Sequence, residues 1–138
     1  MTVSSDCPAV TGTPLWLLRI EGVALLILAV AVYARSGSSW VMFGMLFLAP
    51  DISLAGYLLG ARAGAFAYNA VHSTVLPIAL ALYGRLSGTD LFVNLALIWL
   101  AHIGFDRALG YGLKYEVGFG FTHLGRVGRV AKGQAGAG

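Results

Sequence analysis

The chain has 138 residues, 58% of them hydrophobic and 11% charged, with a mean hydropathy of +0.79 and a formal net charge of +3. Soluble domains carry about a quarter of their residues as charges, so the composition points to a bilayer and excludes disorder, which needs low hydrophobicity and high net charge. The lone cysteine, Cys7, excludes a disulfide scaffold, and so few charges offer no basic face to nucleic acid.

Four apolar runs follow, each near the roughly 20 residues that a helix needs to cross about 30 Å of hydrocarbon. The first is Pro14–Ala34, with proline in its first turn, where a missing N–H is tolerated. Residues 1–13 lack the positive start of a secretory signal, and the run behind them is too long for one, so they read as a short cytoplasmic segment before a retained span. The second run is Trp40–Leu59, the third Arg62–Tyr83 and the fourth Asp90–Leu109. The connections, Arg35–Ser39, Gly60–Ala61 and Gly84–Thr89, are short enough to force antiparallel neighbours. The expected fold is all-α: an integral membrane domain over residues 14–109, four transmembrane helices in an up-down-up-down bundle. Residues 110–138 are glycine-rich and basic and read as a partly ordered cytoplasmic tail.

Positive charge sets the orientation. Arg19, Arg62, Arg107, Lys114, Arg126, Arg129 and Lys132 fall on one side, and only Arg35 and Arg85 on the other. The positive-inside rule then places both termini in the cytoplasm of a multi-pass protein of the cytoplasmic membrane. Trp40, Tyr33 and Tyr83 lie near span ends and read as an interfacial belt. Gly56, Gly60 and Gly64 follow a small-xxx-small spacing, which suits tight packing between the second and third helices or, alternatively, a homo-oligomer seam; glycine's liking for turns favours packing.

Polar groups inside the hydrocarbon cost at least about 2.5 kcal/mol unless they face a protein interior or a cavity. This chain places Arg19 and Glu21 in the first span, Asp51 in the second, Asn69 and His72 in the third, and His102, Asp106 and Arg107 in the fourth. At about 1.5 Å per residue, Glu21, Asp51, Asn69, His72 and His102 share a depth of roughly 10–15 Å below the cytoplasmic edge. Pro50 and Pro77 border that level and should kink their spans, releasing the carbonyls of Leu46 and Ser73.

Three chemistries fit. Asp51, His72, His102 and Asp106 form an N/O donor set for a divalent metal such as zinc, iron or manganese, with Glu21 as a fifth ligand or a catalytic general base. Alternatively, Glu21 titrates in a small proton-coupled transporter. In the third reading the groups form a structural clasp, with Asp106 against Arg107 or Arg19. Haem between His72 and His102 is disfavoured by carboxylates at the same level. His123, in the tail, either closes the site from the cytoplasm or is a surface histidine beside basic residues.

The runs APD, YNxxH, HxxFDRxxGYGLK and THLG, spread from about Leu17 to Arg126, resemble the bacterial membrane proteins grouped as domain of unknown function 4260. The matching positions are Glu21, Asp51, Tyr68, Asn69, His72, His102, Asp106, Arg107, Gly110, Tyr111, Gly112, Lys114 and His123. The segment GFGF before THLG departs from the more polar stretch expected there. The resemblance implies a compact four-helix membrane protein and carries no activity with it.

Overall fold

The computed structural model describes residues 8–127. Cys7, Arg129 and Lys132 lie outside the described residues. In chain order the elements are α1 (Gly12–Arg35), α2 (Trp40–Leu46), a 3-10 helix (Ala49–Leu59), α3 (Ala61–His72), α4 (Val75–Ser87), α5 (Asp90–Leu109) and a small hairpin of β1 (Phe121–Thr122) and β2 (Gly125–Arg126). Four helical segments, Gly12–Arg35, Trp40–Leu59, Ala61–Ser87 and Asp90–Leu109, are each long and apolar enough to cross a membrane.

Two of these segments are broken rather than kinked. A proline ring clashes with the carbonyl four residues earlier in a continuous helix. At Pro77 the chain avoids the clash by ending α3 at His72 and extending Ser73 (φ −81°, ψ 148°), so that Pro77 falls in the first turn of α4. At Pro50, α2 stops at Leu46 and the chain resumes as the 3-10 helix. Both breaks lie beside residues of the polar level, Asp51 and His72.

The seam between α1 and α5 is a close approach of backbones. A Cβ added to Gly104 would lie 2.7 Å from the Gly22 carbonyl oxygen, and one added to Gly22 would lie 2.8 Å from the Ala108 nitrogen. At one end of the seam the Arg19 Nε donates to the Ala108 carbonyl (3.0 Å); at the other, Asn94 Nδ2 donates to Ser38 Oγ (2.6 Å). The 3-10 helix packs on α3 in the same manner, with Gly64 under the Tyr57 ring and Gly56 against Ala67. Gly56 and Gly64 thus pack within the chain, whereas Gly60 sits at the turn with φ +117° and nothing against it.

Tyr33 is not in an interfacial belt. It is fully buried, its hydroxyl donates to the Ser39 carbonyl (2.7 Å), and its ring meets those of Trp40 and Phe43 at 5.3 and 5.0 Å. Trp40 and Tyr83 are exposed.

The tail is more ordered than its composition suggests as far as residue 127. Gly110, at φ +91°, ends α5 in the left-handed conformation and turns the chain back. Phe121 and Thr122 then pair with Arg126 and Gly125, and Lys114 bridges to Thr122. The Val10 amide donates to the His123 carbonyl (2.9 Å) and the Tyr115 hydroxyl to that of Pro8 (2.6 Å), joining the segment before α1 to the segment after α5.

Candidate metal centre

The 3-10 helix supplies Asp51, α3 supplies His72, and α5 supplies His102 and Asp106, whose spacing of four residues places both on one helix face. One ligand atom from each lies within 4.8 Å of all the others. The two Nε2 atoms are 3.2 Å apart. Asp51 Oδ1 stands 3.6 Å from His72 Nε2 and 3.4 Å from His102 Nε2, and Asp106 Oδ2 stands 3.5 and 3.6 Å from the same two atoms. A tetrahedral ion with bonds of about 2.0–2.2 Å places its ligand atoms about 3.3–3.6 Å apart. Five of the six spacings here fall at or next to that range.

Hydrogen bonding determines what these atoms can do. His72 Nδ1 lies 3.0 Å from the Tyr68 carbonyl, which can only accept, so Nδ1 carries the hydrogen and a neutral imidazole keeps its lone pair on Nε2. Metal-bound histidines commonly have this second bond to a carbonyl. The Tyr68 ring stacks on His72 at 3.7 Å, and its hydroxyl donates to Asp106 Oδ2 (3.2 Å). With neutral imidazoles and ionised carboxylates, the four converging atoms share at most one hydrogen, on His102 Nε2. Such a group of electron-rich atoms, with both histidines 3% exposed or less, fits a cation at its centre. The donor set suits zinc, iron or manganese. A haem does not fit, because 3.2 Å between the Nε2 atoms leaves no room for a macrocycle.

The other polar residues take different places. Glu21 does not join the group: Gly22 faces α5, and Glu21 is exposed on α1 and contributes no ligand atom. Arg19 binds the Ala108 carbonyl rather than Asp106. Arg107 borders a small void with His72 and Asp106 and forms no ion pair with Asp106. His123 does not close the site. Its Nδ1 accepts from the Leu113 amide (2.9 Å) under the tail, and burial lowers its imidazole pKa.

Residues 16–127 match the family described as "Domain of unknown function (DUF4260)". The chain belongs to this family. No curated protein and no solved structure matches it.

In this DUF4260 member, two further residues join the site: Tyr68, through the contacts above, and Lys114. Both stand among the positions matched to the family, but the cost of charge in hydrocarbon, which marks the other four, marks neither the uncharged Tyr68 nor Lys114, which lies beyond the last apolar run. Asn69 brings Lys114 in. Its Nδ2 donates to the Lys114 carbonyl (2.7 Å) and its Oδ1 accepts from the Lys114 amide (2.6 Å). Lys114 is 4% exposed, and its Nζ donates to the Phe119 carbonyl (3.0 Å). Nζ also lies over the rings of Phe119 (3.7 Å) and Tyr68 (4.6 Å). Burial pushes the Lys114 ammonium pKa down to about 8, although Asp106 and Asp51 pull it upward. Asn69→Leu removes both backbone bonds and is expected to cost about 1–3 kcal/mol and to speed protease cleavage after Lys114. Cleavage at the wild-type rate would show that the tail is held by other contacts.

Proposed function

We propose that this DUF4260 protein crosses the bacterial cytoplasmic membrane four times, up-down-up-down with both termini in the cytoplasm, and binds one divalent metal ion at Asp51, His72, His102 and Asp106. Its surroundings would then be the lipid bilayer. Four apolar segments, exposed apolar side chains such as Trp16, Ile27, Leu28 and Ile78, and the basic residues gathered on one side support the membrane placement. The observation that carries the metal reading is the convergence of four electron-rich atoms from three separate elements. Two carboxylates held at a membrane level are stable only if their charge is answered, and a divalent ion answers both.

The site opens into a cavity of about 210 Å³ beside the metal group. Its polar wall is formed by Asp51, Asp106, Tyr68 and Lys114, and Leu54 and Phe105 are among its apolar lining. This combination suits a lipid-like substrate, and the reading is a metal-dependent enzyme of the inner leaflet. A bound divalent ion would supply Lewis-acid polarisation. The chain's own residues do the rest. Tyr68 orients Asp106 through its hydroxyl and fixes the His72 tautomer through its carbonyl, and the apolar wall keeps water from the reacting end of the substrate.

Elemental analysis of the detergent-purified protein, handled without chelators, tests the reading. One metal per chain in the wild type and none in His102→Ala is the expected result. A metal-free wild type, or a His102→Ala variant with undiminished metal, would overturn it.

A further inference from the structure

Lys114 is a buried cation that makes no ion pair among the described residues, although Asp106 and Asp51 lie near enough to act on its charge. An ammonium has three donors, and one of them goes to the Phe119 carbonyl. The rings of Tyr68 and Phe119 give it cation–π contacts and, among the described residues, no second hydrogen bond. Burying such a charge is expensive unless something answers it, and a tail segment could hold a methionine or leucine there at lower cost. Yet the chain closes Lys114 in with both hydrogen bonds of Asn69 and places it on the wall of the cavity that Asp51 and Asp106 also line.

The charge balance around that cavity gives its ligand a sign. Alone, the two carboxylates repel an anion. With a divalent ion between them their charge is cancelled, and the positive charge of Lys114 remains. The cavity then has a net positive end, formed by the metal group and Lys114, and an apolar remainder formed by Leu54, Phe105, Leu109 and Phe119. Phe105 and Leu109 are themselves 38% and 52% exposed, so the apolar end is open to the surroundings of the helices. An amphiphile could therefore enter with its chain still outside.

We propose that Lys114 is the head-group-binding residue of this cavity, and that the ligand is a lipid-like amphiphile with a phosphate oxyanion head seated between Lys114 and the metal group. This rests on the metal reading above, because without the ion Asp51 and Asp106 would exclude the head. Lys114 donates its free N–H bonds to the head oxygens, while the alkyl chain lies against Leu54 and Phe105 and leaves between the helices toward lipid. Lysine suits this role because it meets a phosphate as a point charge.

Binding to the metal-loaded full-length protein in a neutral detergent tests the proposal, with dodecyl phosphate, dodecanol and inorganic phosphate as probes. Dodecyl phosphate is expected to bind at least tenfold more tightly than either of the others. Lys114→Met, with its metal content intact, is expected to lose at least tenfold for dodecyl phosphate and nothing for dodecanol. Unchanged dodecyl phosphate binding in Lys114→Met would overturn the proposal. Inorganic phosphate binding as tightly as dodecyl phosphate would also overturn it, making the ligand a free anion. Should Lys114→Met fail to fold, the wild type decides through its ratio of dodecyl phosphate to dodecanol binding, and a ratio near one overturns the proposal. Elemental analysis separates the two readings: a metal-free wild type removes both, whereas a metal-loaded protein indifferent to dodecyl phosphate removes this one alone.

Discussion

If the proposed divalent ion is bound, stripping it with a chelator is expected to lower the unfolding midpoint of the wild-type protein sharply. A ligand that binds only the folded state stabilises it by about 4 kcal/mol when its concentration is a thousandfold above Kd. The architecture makes the effect large here. Asp51 lies on the 3-10 helix that resumes after the break at Pro50, and His72 is the last residue of α3 before the break at Ser73. An ion bridging them to His102 and Asp106 on α5 would tie two interrupted segments to the one helix that contacts α1, α2 and α4. Without it, the two imidazole nitrogens stand 3.2 Å apart and 3.4–3.6 Å from the two carboxylates. The His72→Ala, His102→Ala double variant is expected to unfold at one temperature with or without chelator. Scanning fluorimetry in detergent reads both results. A wild-type midpoint unmoved by chelator, in protein shown to have contained the metal, would mean that the ion bridges nothing.

Lys114→Met is expected to stabilise the protein while removing its ability to hold an anionic head. The unfolded chain keeps the Lys114 proton up to about 10.5, whereas the folded chain gives it up from about 8. Between these values the folded state binds fewer protons than the unfolded one, so stability rises with pH across that window. The cost of the buried charge is thus fully present below pH 8 and is relieved as pH climbs through the window. Methionine keeps the length and apolar stem of lysine without the charge. It is expected to add about 1–3 kcal/mol at pH 7 and to flatten the rise between pH 8 and 10.5. Chemical denaturation at pH 7 and pH 10 measures both. A variant less stable than the wild type at pH 7, with the same slope, would show that the ammonium is a structural strut on the Phe119 carbonyl. A gain in stability with a loss of binding is the pattern of a group retained for function.

The sequence by itself determined the helical class, the four membrane-length segments, the family and the four residues whose ligand atoms converge. Composition and run length are local properties, and charges are so costly in hydrocarbon that each one stands out against its run. That three of these residues, Asp51, His72 and His102, would stand at one level was legible too, because a helix converts residue count into distance at a fixed rise. Direction was not. Glu21 has the right residue count along its run, yet apolar residues lie on all sides of α1, so nothing in its sequence tells which face docks. The backbone approach of Gly22 to Gly104 turns Glu21 away from the group. The breaks at Pro50 and Pro77 were legible as distortions, but whether a proline kinks a helix or ends it depends on what else can satisfy the freed carbonyl, which is a tertiary question. The place of Lys114 was decided by tertiary structure alone. It lies 45 residues from Asn69 in sequence, and only the return of the tail, clamped by Asn69, brings it against Tyr68 and Phe119 and into the cavity. Long-range hydrogen bonds of that kind leave no periodicity in a sequence, because they depend on two segments meeting in space and not on the pattern of either one.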